Sequence, residues 1–248
     1  MEQITSLKNS RIVTWKSLKD RKGRRETGLF LVEGRKMVEE ALASHFPVSA
    51  ILVDQDRVSE WSLPSDIPAY SMPAHVLGAV CDTKTPQGIA AVVGMTEMRQ
   101  PGHRLVVMDG VQDPGNVGTI LRTADAAGFD GVLLSRQCAD VFSPKVLRAT
   151  MGSIFRMGVQ VCDDLPHTLT CLKEQGFSVI SSQLDGDPFY ERAPVGEKFC
   201  LVIGSEGNGV SPQVQAVATH RVKLPMRGGA ESLNAAVAAG IMMYELMR

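Results

Sequence analysis

Short apolar runs alternate with helical stretches from Arg104 to the C-terminus. The apolar runs are Leu105–Met108, Gly131–Leu134, Gly158–Val161, Ser178–Ser182, Phe199–Ile203 and Arg221–Leu224. The stretches with helical periodicity cover residues 116–127, 144–150, 166–175, 212–218 and 234–247. Strands that are apolar along their whole length are buried on both faces, and the intervening helices can cover both faces of a parallel sheet. The pattern therefore predicts an α/β domain built on a parallel sheet.

A smaller α/β unit is predicted ahead of this domain. Gly28–Gly34 and Val48–Val53 favour strands, and Arg35–Ala43 between them carries apolar residues at helical spacing. The stretch Met95–His103 lacks apolar periodicity and contains a Pro-Gly pair, which favours a domain boundary. We expect one domain at 1–95, a linker at 96–103 and a second domain at 104–248.

The overall composition excludes several classes of protein. The 248 residues carry a formal net charge of -1 and contain no apolar run of about 18 residues, which argues against a disordered or membrane-spanning chain. The five cysteines form no C-x-x-C pair and no metal-ligand spacing, so we expect reduced thiols and no metal site. The first residues also lack the pattern of an export signal. These features predict a cytoplasmic globular protein.

The basic charge is concentrated at the N-terminus. The first 25 residues hold eight cations against two anions, a local net charge of +6. Such a cluster is typical of a surface that binds the phosphates of nucleic acids, although it is also found on solvated helix faces. Ile12, Trp15 and Leu18 recur at helical spacing and could dock one face of a basic helix. The candidate nucleic-acid-binding residues are Lys19, Arg21, Lys22, Arg24 and Arg25.

Three glycine-containing loops follow predicted strands, where α/β sheets bind their ligands. They are Asp109–Thr123, Val202–Pro212 and Leu224–Asn234. None contains the dinucleotide fingerprint G-x-G-x-x-G, a P-loop or a nucleophile elbow, and the five histidines of the chain show no metal-binding spacing.

These loops match a known series of motifs. The segments DPGNVGTILRTADAAGF, LVIGSEGNGVSP and LPMRGGAESLNAAVAAGIMMYE resemble, in this order, the three motifs of the SpoU (TrmH-like) branch of the SPOUT methyltransferases. The N-terminal part is similar to the L30e-like substrate-binding domain of the ribosomal RNA members, through Lys8-Asn9, the basic helix, Phe30–Gly34 and Thr85–Ile89. The resemblance covers nearly the whole chain. It implies methyl transfer from S-adenosyl-L-methionine to a ribose 2'-OH of RNA, a deep trefoil knot in the C-terminal sheet, and a homodimer with the site at the subunit interface.

The resemblance also assigns roles to individual residues. The cofactor pocket would be lined, largely through backbone groups, by Gly204, Leu224, Met226 and Leu233. The catalytic set would be Asn116, Arg122, Glu206, Ser232 and Asn234. Purely structural roles are the alternatives: a tight turn for Gly204, a place near a helix start for Glu206, and helix capping for Asn116, Ser232 or Asn234. Glu206 could also orient a ribose or pair with Arg122.

Arg122 matches the arginine at the family's catalytic centre, where it would act either as a general base or as a charged clamp. A guanidinium has a pKa above about 12 and is a poor base at neutral pH. We therefore favour a clamp on the phosphate beside the target ribose, which lowers the pKa of the hydroxyl.

The third motif departs from the family at one position. Ala236 stands two places after Asn234, where many members carry a hydroxyl side chain, so one hydrogen bond of the cofactor site is in doubt. The following apolar residues Val237, Ile241 and Tyr244 favour a helix core or a dimer interface.

The sequence thus predicts an RNA 2'-O-methyltransferase, with large-subunit (23S) ribosomal RNA as the favoured substrate. The alternatives are a tRNA 2'-O-methyltransferase and a non-catalytic RNA-binding ribosome-assembly factor. The N-terminal domain argues against the first, because tRNA members usually carry short terminal helices instead. The non-catalytic alternative is disfavoured because four polar residues of the motifs are retained: Asn116, Arg122, Glu206 and Asn234.

Overall fold

A computed structural model of the chain describes residues 1–96 and 102–248. It divides the chain into two compact units, and the first comprises Met1–Thr96 together with Phe142–Phe155. The second comprises the rest of the described chain. Most of the expected linker at 96–103 lies outside the described residues, so the boundary stays a prediction.

The first unit contains a five-stranded mixed sheet. Its elements before residue 97 are β1 (Glu2–Gln3), α1 (Ser10–Ser17), α2 (Arg21–Thr27), β2 (Leu29–Glu33), α3 (Arg35–Leu42), β3 (Val48–Asp54), a 3-10 helix (Gln55–Glu60), β4 (Ala69–Met72), α4 (Ala74–Val80) and β5 (Ile89–Gly94). The strand order is β1-β4-β3-β5-β2, in which β5 runs antiparallel to both of its neighbours. The predicted strands and the helix of this unit are confirmed.

The second part of the chain forms the parallel sheet that the alternating pattern predicts. Its elements are β6 (Arg104–Asp109), α5 (Pro114–Ala127), β7 (Gly131–Ser135), α6 (Pro144–Thr150), a 3-10 helix (Ser153–Phe155), β8 (Gly158–Cys162), α7 (Leu165–Glu174), β9 (Ser178–Pro188), a 3-10 helix (Phe189–Glu191), β10 (Phe199–Gly204), α8 (Pro212–Val217), β11 (His220–Lys223) and α9 (Ala235–Leu246). The strand order is β11-β9-β10-β6-β7-β8, and every pair is parallel. Leu105, Val107 and Val202 are fully buried, as expected of strands covered on both faces.

Helix α6 belongs to the first unit although its sequence position lies within the predicted second domain. The reason is an aromatic cluster around Phe30 of β2. The Phe30 ring lies 4.8 Å from the ring of Phe142 and 6.2 Å from that of Phe155, measured between centroids. Arg148 of α6 also forms a 2.8 Å ion pair with Asp82. Contacts between residues far apart in sequence therefore place α6 in the first unit.

The expected basic helix is two helices rather than one. Ile12, Trp15 and Leu18 are buried, as the helical spacing predicts. Helix α1 ends at Ser17, and α2 starts at Arg21 and packs closely against this end. The approach is so close that a Cβ atom at Gly23 would lie 2.2 Å from the carbonyl oxygen of Ser17.

Arg24 lies at the junction of α1 and α2 and is only 2% exposed. Its Nη1 donates hydrogen bonds to the carbonyl oxygens of Leu18 and Lys19, at 2.7 and 2.8 Å. These carbonyls end a helix and have no partner within it. The assignment of Arg24 to the RNA-binding surface is therefore wrong: the side chain holds the helix junction together.

We expect Arg24→Met to lower the free energy of unfolding by about 2 to 3 kcal/mol, since it leaves the two carbonyl groups buried without a donor. The exposed neighbour Arg25 serves as the control, and Arg25→Met should change the free energy of unfolding by about 0.5 kcal/mol or less. Urea unfolding followed by circular dichroism measures both. Equal midpoints for the two variants would contradict the structural role of Arg24.

All five cysteines are unpaired, and four of them are buried. Burial raises the pKa of the thiols of Cys81, Cys138 and Cys162, and it raises the pKa of Cys200 to about 12. Cys171 on α7 is half-buried. Because only the thiolate is nucleophilic, iodoacetamide at pH 8 should modify Cys171 in the native protein and the other four only after unfolding. Mass spectrometry of labelled peptides checks this, and native labelling of Cys200 would contradict it.

Within residues 1–96 and 102–248, no helix is long and apolar enough to cross a membrane.

Candidate functional site

Two of the three glycine-containing loops start side by side at the carboxyl edge of the parallel sheet. Strands β6 and β10 are neighbours, with Asp109 opposite Gly204 at their ends. The buried carboxylate of Asp109 accepts a 2.8 Å hydrogen bond from the backbone N–H of Ser211, which ties the first loop to the second. Asp109 is a residue to which the sequence motifs assign no role. Its signal was an acidic residue directly after an apolar strand.

Asn116 joins the three loops through its side-chain amide. Its Nδ2 donates a 2.5 Å hydrogen bond to Oε1 of Glu206 in the second loop. Its Oδ1 accepts a 3.0 Å hydrogen bond from Nδ2 of Asn234 in the third. The N-cap of α5 is Asp113, whose Oδ1 accepts from the backbone N–H of Asn116. The side chain of Asn116 therefore does not cap its own helix, and residues separated by 90 and 118 positions meet at this amide.

The side chain of Asn234 has two structural tasks at once. Its Oδ1 accepts hydrogen bonds from the backbone N–H groups of Ala236 and Val237, so it caps α9, while its Nδ2 faces Asn116. Ser232 is exposed and makes no hydrogen bond to any described residue, so it is not the helix cap. The hydroxyl of Ser232 is available to a ligand or a partner chain.

Arg122 is exposed on α5, two turns into the helix. Its guanidinium has no hydrogen bond or ion pair with any residue that the structure describes, and the pairing with Glu206 is not observed. At 3.6 residues per turn, Arg122 and Asn116 lie roughly 120° apart around the helix axis. Within one protomer, Arg122 therefore lies on a different side of α5 from Asn116 and makes no hydrogen bond to the described residues of the Asn116–Glu206–Asn234 network.

Gly204 is required by the loop itself. A Cβ atom at this position would lie 2.1 Å from the backbone carbon of Gly209 and 2.2 Å from the nitrogen of Val210. Ser205 and Gly209 exchange two backbone hydrogen bonds that close the loop, and Gly209 has a φ of +65°. The tight-turn explanation thus accounts for the missing side chain, whereas a role of the Gly204 backbone in cofactor binding stays a prediction.

The segment between β11 and α9 has the properties of a site for a nucleoside. Within the described chain, no hydrogen bond uses the backbone N–H or C=O groups of residues 224–233. Leu224 and Met226 are half-buried, and Leu233 is 38% exposed. Unpaired backbone donors and acceptors beside apolar side chains suit the adenine, ribose and methionine parts of S-adenosylmethionine. The residues at this segment therefore fit the implied cofactor.

The remaining candidate RNA-binding cations lie on the first unit. Arg21, Lys22 and Arg25 of α2 are exposed, and Lys19 is half-buried. Lys22 forms only a loose 3.8 Å ion pair with Glu26. These side chains are thus available to phosphate groups.

Two family models match the chain. The SpoU rRNA Methylase family matches residues 103–244, and the MRM3-like substrate binding domain matches residues 9–91. Among curated proteins, the chain is 41% identical over 247 residues to 23S rRNA (guanosine(2553)-2'-O)-methyltransferase RlmP of Bacillus subtilis (strain 168), covering 99% of each chain.

Solved structures agree with these matches. The SpoU methyltransferase AviRb from Streptomyces viridochromogenes, in complex with the cofactor AdoMet, superimposes with a TM-score of 0.85 at 27% identity, over 97% of each chain. The AdoMet-bound rRNA methyltransferase from Sinorhizobium meliloti has a TM-score of 0.86 at 28% identity, over 99% of this chain and 97% of that one.

These findings confirm the family, the enzyme class and the cofactor that the three motifs imply. The three loops that carry the motifs also meet in space through the Asn116 amide. The chain belongs to the SpoU rRNA methylase family.

Proposed function

We propose that this protein transfers a methyl group from S-adenosylmethionine to a ribose 2'-OH of 23S ribosomal RNA in the cytoplasm. The domain at 1–95 binds the RNA and the domain at 104–248 carries out the chemistry. The observation that carries the proposal is the hydrogen-bond chain Glu206–Asn116–Asn234, which brings the three motif loops to one point at the carboxyl edge of the sheet. The RlmP relative supports the choice of 23S rRNA.

S-adenosylmethionine, when bound, supplies the methyl group. Gly204, Leu224, Met226 and Leu233 hold it, mainly through the unpaired backbone groups of residues 224–233. The C-terminal segment passes from β11 at the sheet edge to α9, which packs on α5, and we expect this passage to form the trefoil knot.

Glu206 and Asn116 position the target ribose, and Ser232 adds a hydroxyl to the same site. A charged Arg122 binds the phosphate next to this ribose and lowers the pKa of its 2'-OH. The proton then leaves to water or to a phosphate oxygen. Holding the reacting groups in one geometry accounts for much of the expected rate.

We also propose that the active form is a homodimer. Helix α9 exposes an apolar stripe of Val237, Ile241 and Tyr244, which are 51%, 38% and 57% exposed. Apolar side chains at this spacing lie on one face of a helix, and such a face is typical of a helix that packs against a partner. Arg122 on the neighbouring helix α5 lies on a different side of that helix from its own Asn116, so it would complete the site of the second copy.

The double substitution Ile241→Glu, Tyr244→Glu should convert the dimer to monomers, because it places charges in an apolar interface. Analytical ultracentrifugation measures the mass, and methyl transfer should fall together with the dimer fraction. Val13→Glu is the matched control, since Val13 is 56% exposed on α1 and lies in the other unit. An unchanged mass for the double variant would refute this interface.

The function itself is tested by incubating 23S rRNA transcripts and tRNA with tritiated S-adenosylmethionine, followed by mapping of the 2'-O-methylated nucleotide. We expect label in the ribosomal RNA only. Label in tRNA alone would establish the tRNA alternative. Absence of label in both, together with no cofactor binding by calorimetry, would leave a non-catalytic RNA-binding protein.

A further inference from the structure

A concave surface lies in the parallel-sheet unit and is lined by residues to which the proposed function assigns no role. It is a crevice of about 580 Å³ at the carboxyl ends of β6, β7, β8 and β10. This volume is within the range of pockets for small ligands. The side chains that matter here are Gln112, Gln137, Asp163, Asp164, Asn208 and Gln213.

The amides of this crevice are available to a ligand. Gln112, Gln137 and Gln213 are exposed, and their side chains make no hydrogen bond to any residue that the structure describes. An amide side chain offers two donors and an acceptor. Three such groups at one crevice can match the edge of a planar polar molecule.

The exposed carboxylates of Asp163 and Asp164 each have one oxygen engaged. Oδ1 of Asp163 accepts from Arg136 at 2.5 and 2.8 Å, and Oδ1 of Asp164 accepts from the backbone N–H of His167 at 2.9 Å. For Oδ2 of either residue, the described part of the chain supplies no donor. Each carboxylate therefore presents a further acceptor to the crevice.

The charge of the crevice restricts the kind of ligand. Three carboxylates line the crevice, Asp109, Asp163 and Asp164, and Arg136 offsets the charge of Asp163 alone, so the backbone phosphates of an RNA strand are disfavoured here. Among the described residues, no group of three metal-ligating side chains could hold a cation at this place. A neutral molecule that offers N–H donors to carboxylates and an acceptor to amides fits best.

Among the RNA bases, guanine has this pattern. Its Watson–Crick edge carries two adjacent donors, N1–H and the N2 amino group, next to the O6 acceptor. Proteins recognise unstacked RNA bases through such edges. The crevice also borders the proposed site, because Ser205 and Asn208 of the Glu206 loop line it.

We propose that this crevice binds an unstacked guanine of the RNA substrate, at the methylated nucleotide or directly beside it. The inference rests on the proposed function, since it requires an RNA substrate whose ribose lies at Asn116 and Glu206. Asp163 accepts from the N2 amino group, Asp164 accepts from N1–H, and the amides donate to O6.

The test uses the full-length protein and short synthetic RNAs that span the mapped methylation site. Each guanosine at that site and its two neighbours is replaced in turn by inosine, which lacks the N2 amino group. We expect one of these replacements to raise the KM for RNA about tenfold to a hundredfold. Asp163→Asn should raise the KM for the guanosine RNA by a similar factor and show little further loss with the inosine RNA, because the two changes remove one interaction.

The variants and controls are chosen to leave the fold intact. The side chain of Asp163 is 80% exposed, and Gln137→Ala provides a second, neutral variant that should also raise the KM for RNA. Glu174→Gln, on the exposed end of α7, is the matched control and should behave as the wild type. The Kd for S-adenosylmethionine should be unchanged in all of them.

Two failures are distinguishable. If the wild-type protein methylates the RNA but tolerates every inosine within twofold, the guanine crevice is refuted and the proposed function stands. Additive losses for Asp163→Asn and inosine would refute the contact in the same way. If the wild-type protein methylates neither RNA, the proposed function and this inference fail together.

Discussion

Replacing Arg122 with lysine should lower the rate of methyl transfer at least about a hundredfold and leave the affinity for S-adenosylmethionine unchanged. The guanidinium can form two parallel hydrogen bonds to a phosphate, which the lysine ammonium cannot reproduce. Loss of one such preorganised group typically costs a factor of about 100 to 1,000 in rate. Single-turnover methylation with tritiated cofactor measures the rate, and calorimetry measures the cofactor affinity.

The structure provides a matched control for this substitution. Arg104 is also exposed, but it begins β6 and therefore lies at the opposite edge of the sheet from the motif loops. Arg104→Lys should keep the wild-type rate. An Arg122→Lys rate within twofold of the wild type would show that Arg122 is an ordinary surface residue.

The dependence of the rate on pH separates a clamp from a base. A lysine has an ordinary pKa of about 10.4 and becomes a competent base as the pH rises toward that value. If Arg122 is the general base, the lysine variant should recover activity between about pH 8 and pH 10. If Arg122 is a phosphate clamp, the loss should stay constant over this range.

Reversal of charge at Arg21, Lys22 and Arg25 should weaken RNA binding by roughly a hundredfold at 0.1 M salt. Each phosphate contact releases a condensed counterion, so the loss of three contacts should reduce the slope of log affinity against log salt by about 2 to 3. The affinity for S-adenosylmethionine should not change, because all three residues lie in the first unit and the cofactor-binding residues lie in the second. Fluorescence anisotropy with labelled RNA at several salt concentrations measures both the affinity and the slope.

Reversing the charge of three cations in the second unit controls for the change in net charge. Arg104, Lys173 and Arg248 are exposed cations of the second unit, and their replacement by glutamate alters the net charge by the same amount. We expect a much smaller loss of RNA affinity from this control. Equal losses from the two triple variants would mean that net charge alone, and not the surface of α2, controls RNA binding.

The sequence alone predicts those features that depend on neighbouring residues. Strands β6, β7 and β10 each contain a continuous apolar run, and Ile12, Trp15 and Leu18 recur at the helical period, so burial and element type follow from local spacing. Helix starts are local as well. Pro114 and Pro212 each occupy the first helical turn, following Asp113 and Ser211 at the N-cap.

The errors occur where a contact between elements decides the role of a residue. Arg24 lies in a stretch whose composition and spacing are typical of surface cations. The close packing of α2 on α1 instead buries its side chain, which donates hydrogen bonds to the carbonyl oxygens of Leu18 and Lys19. Residues 142–155 carry an ordinary helical pattern, and only the aromatic cluster around Phe30 shows that they pack with the first unit. No local pattern distinguishes these residues from their neighbours.

The α/β class, the order of the elements and the three motif loops follow from the amino-acid sequence alone. The hydrogen bonds of Asn116 to Glu206 and Asn234, and the polar crevice beside the same loop, are visible only in the folded chain. The difference comes from the distance along the chain over which each interaction acts. Periodicity and capping act over a few residues, whereas strand order brings together side chains that are 90 and 118 positions apart.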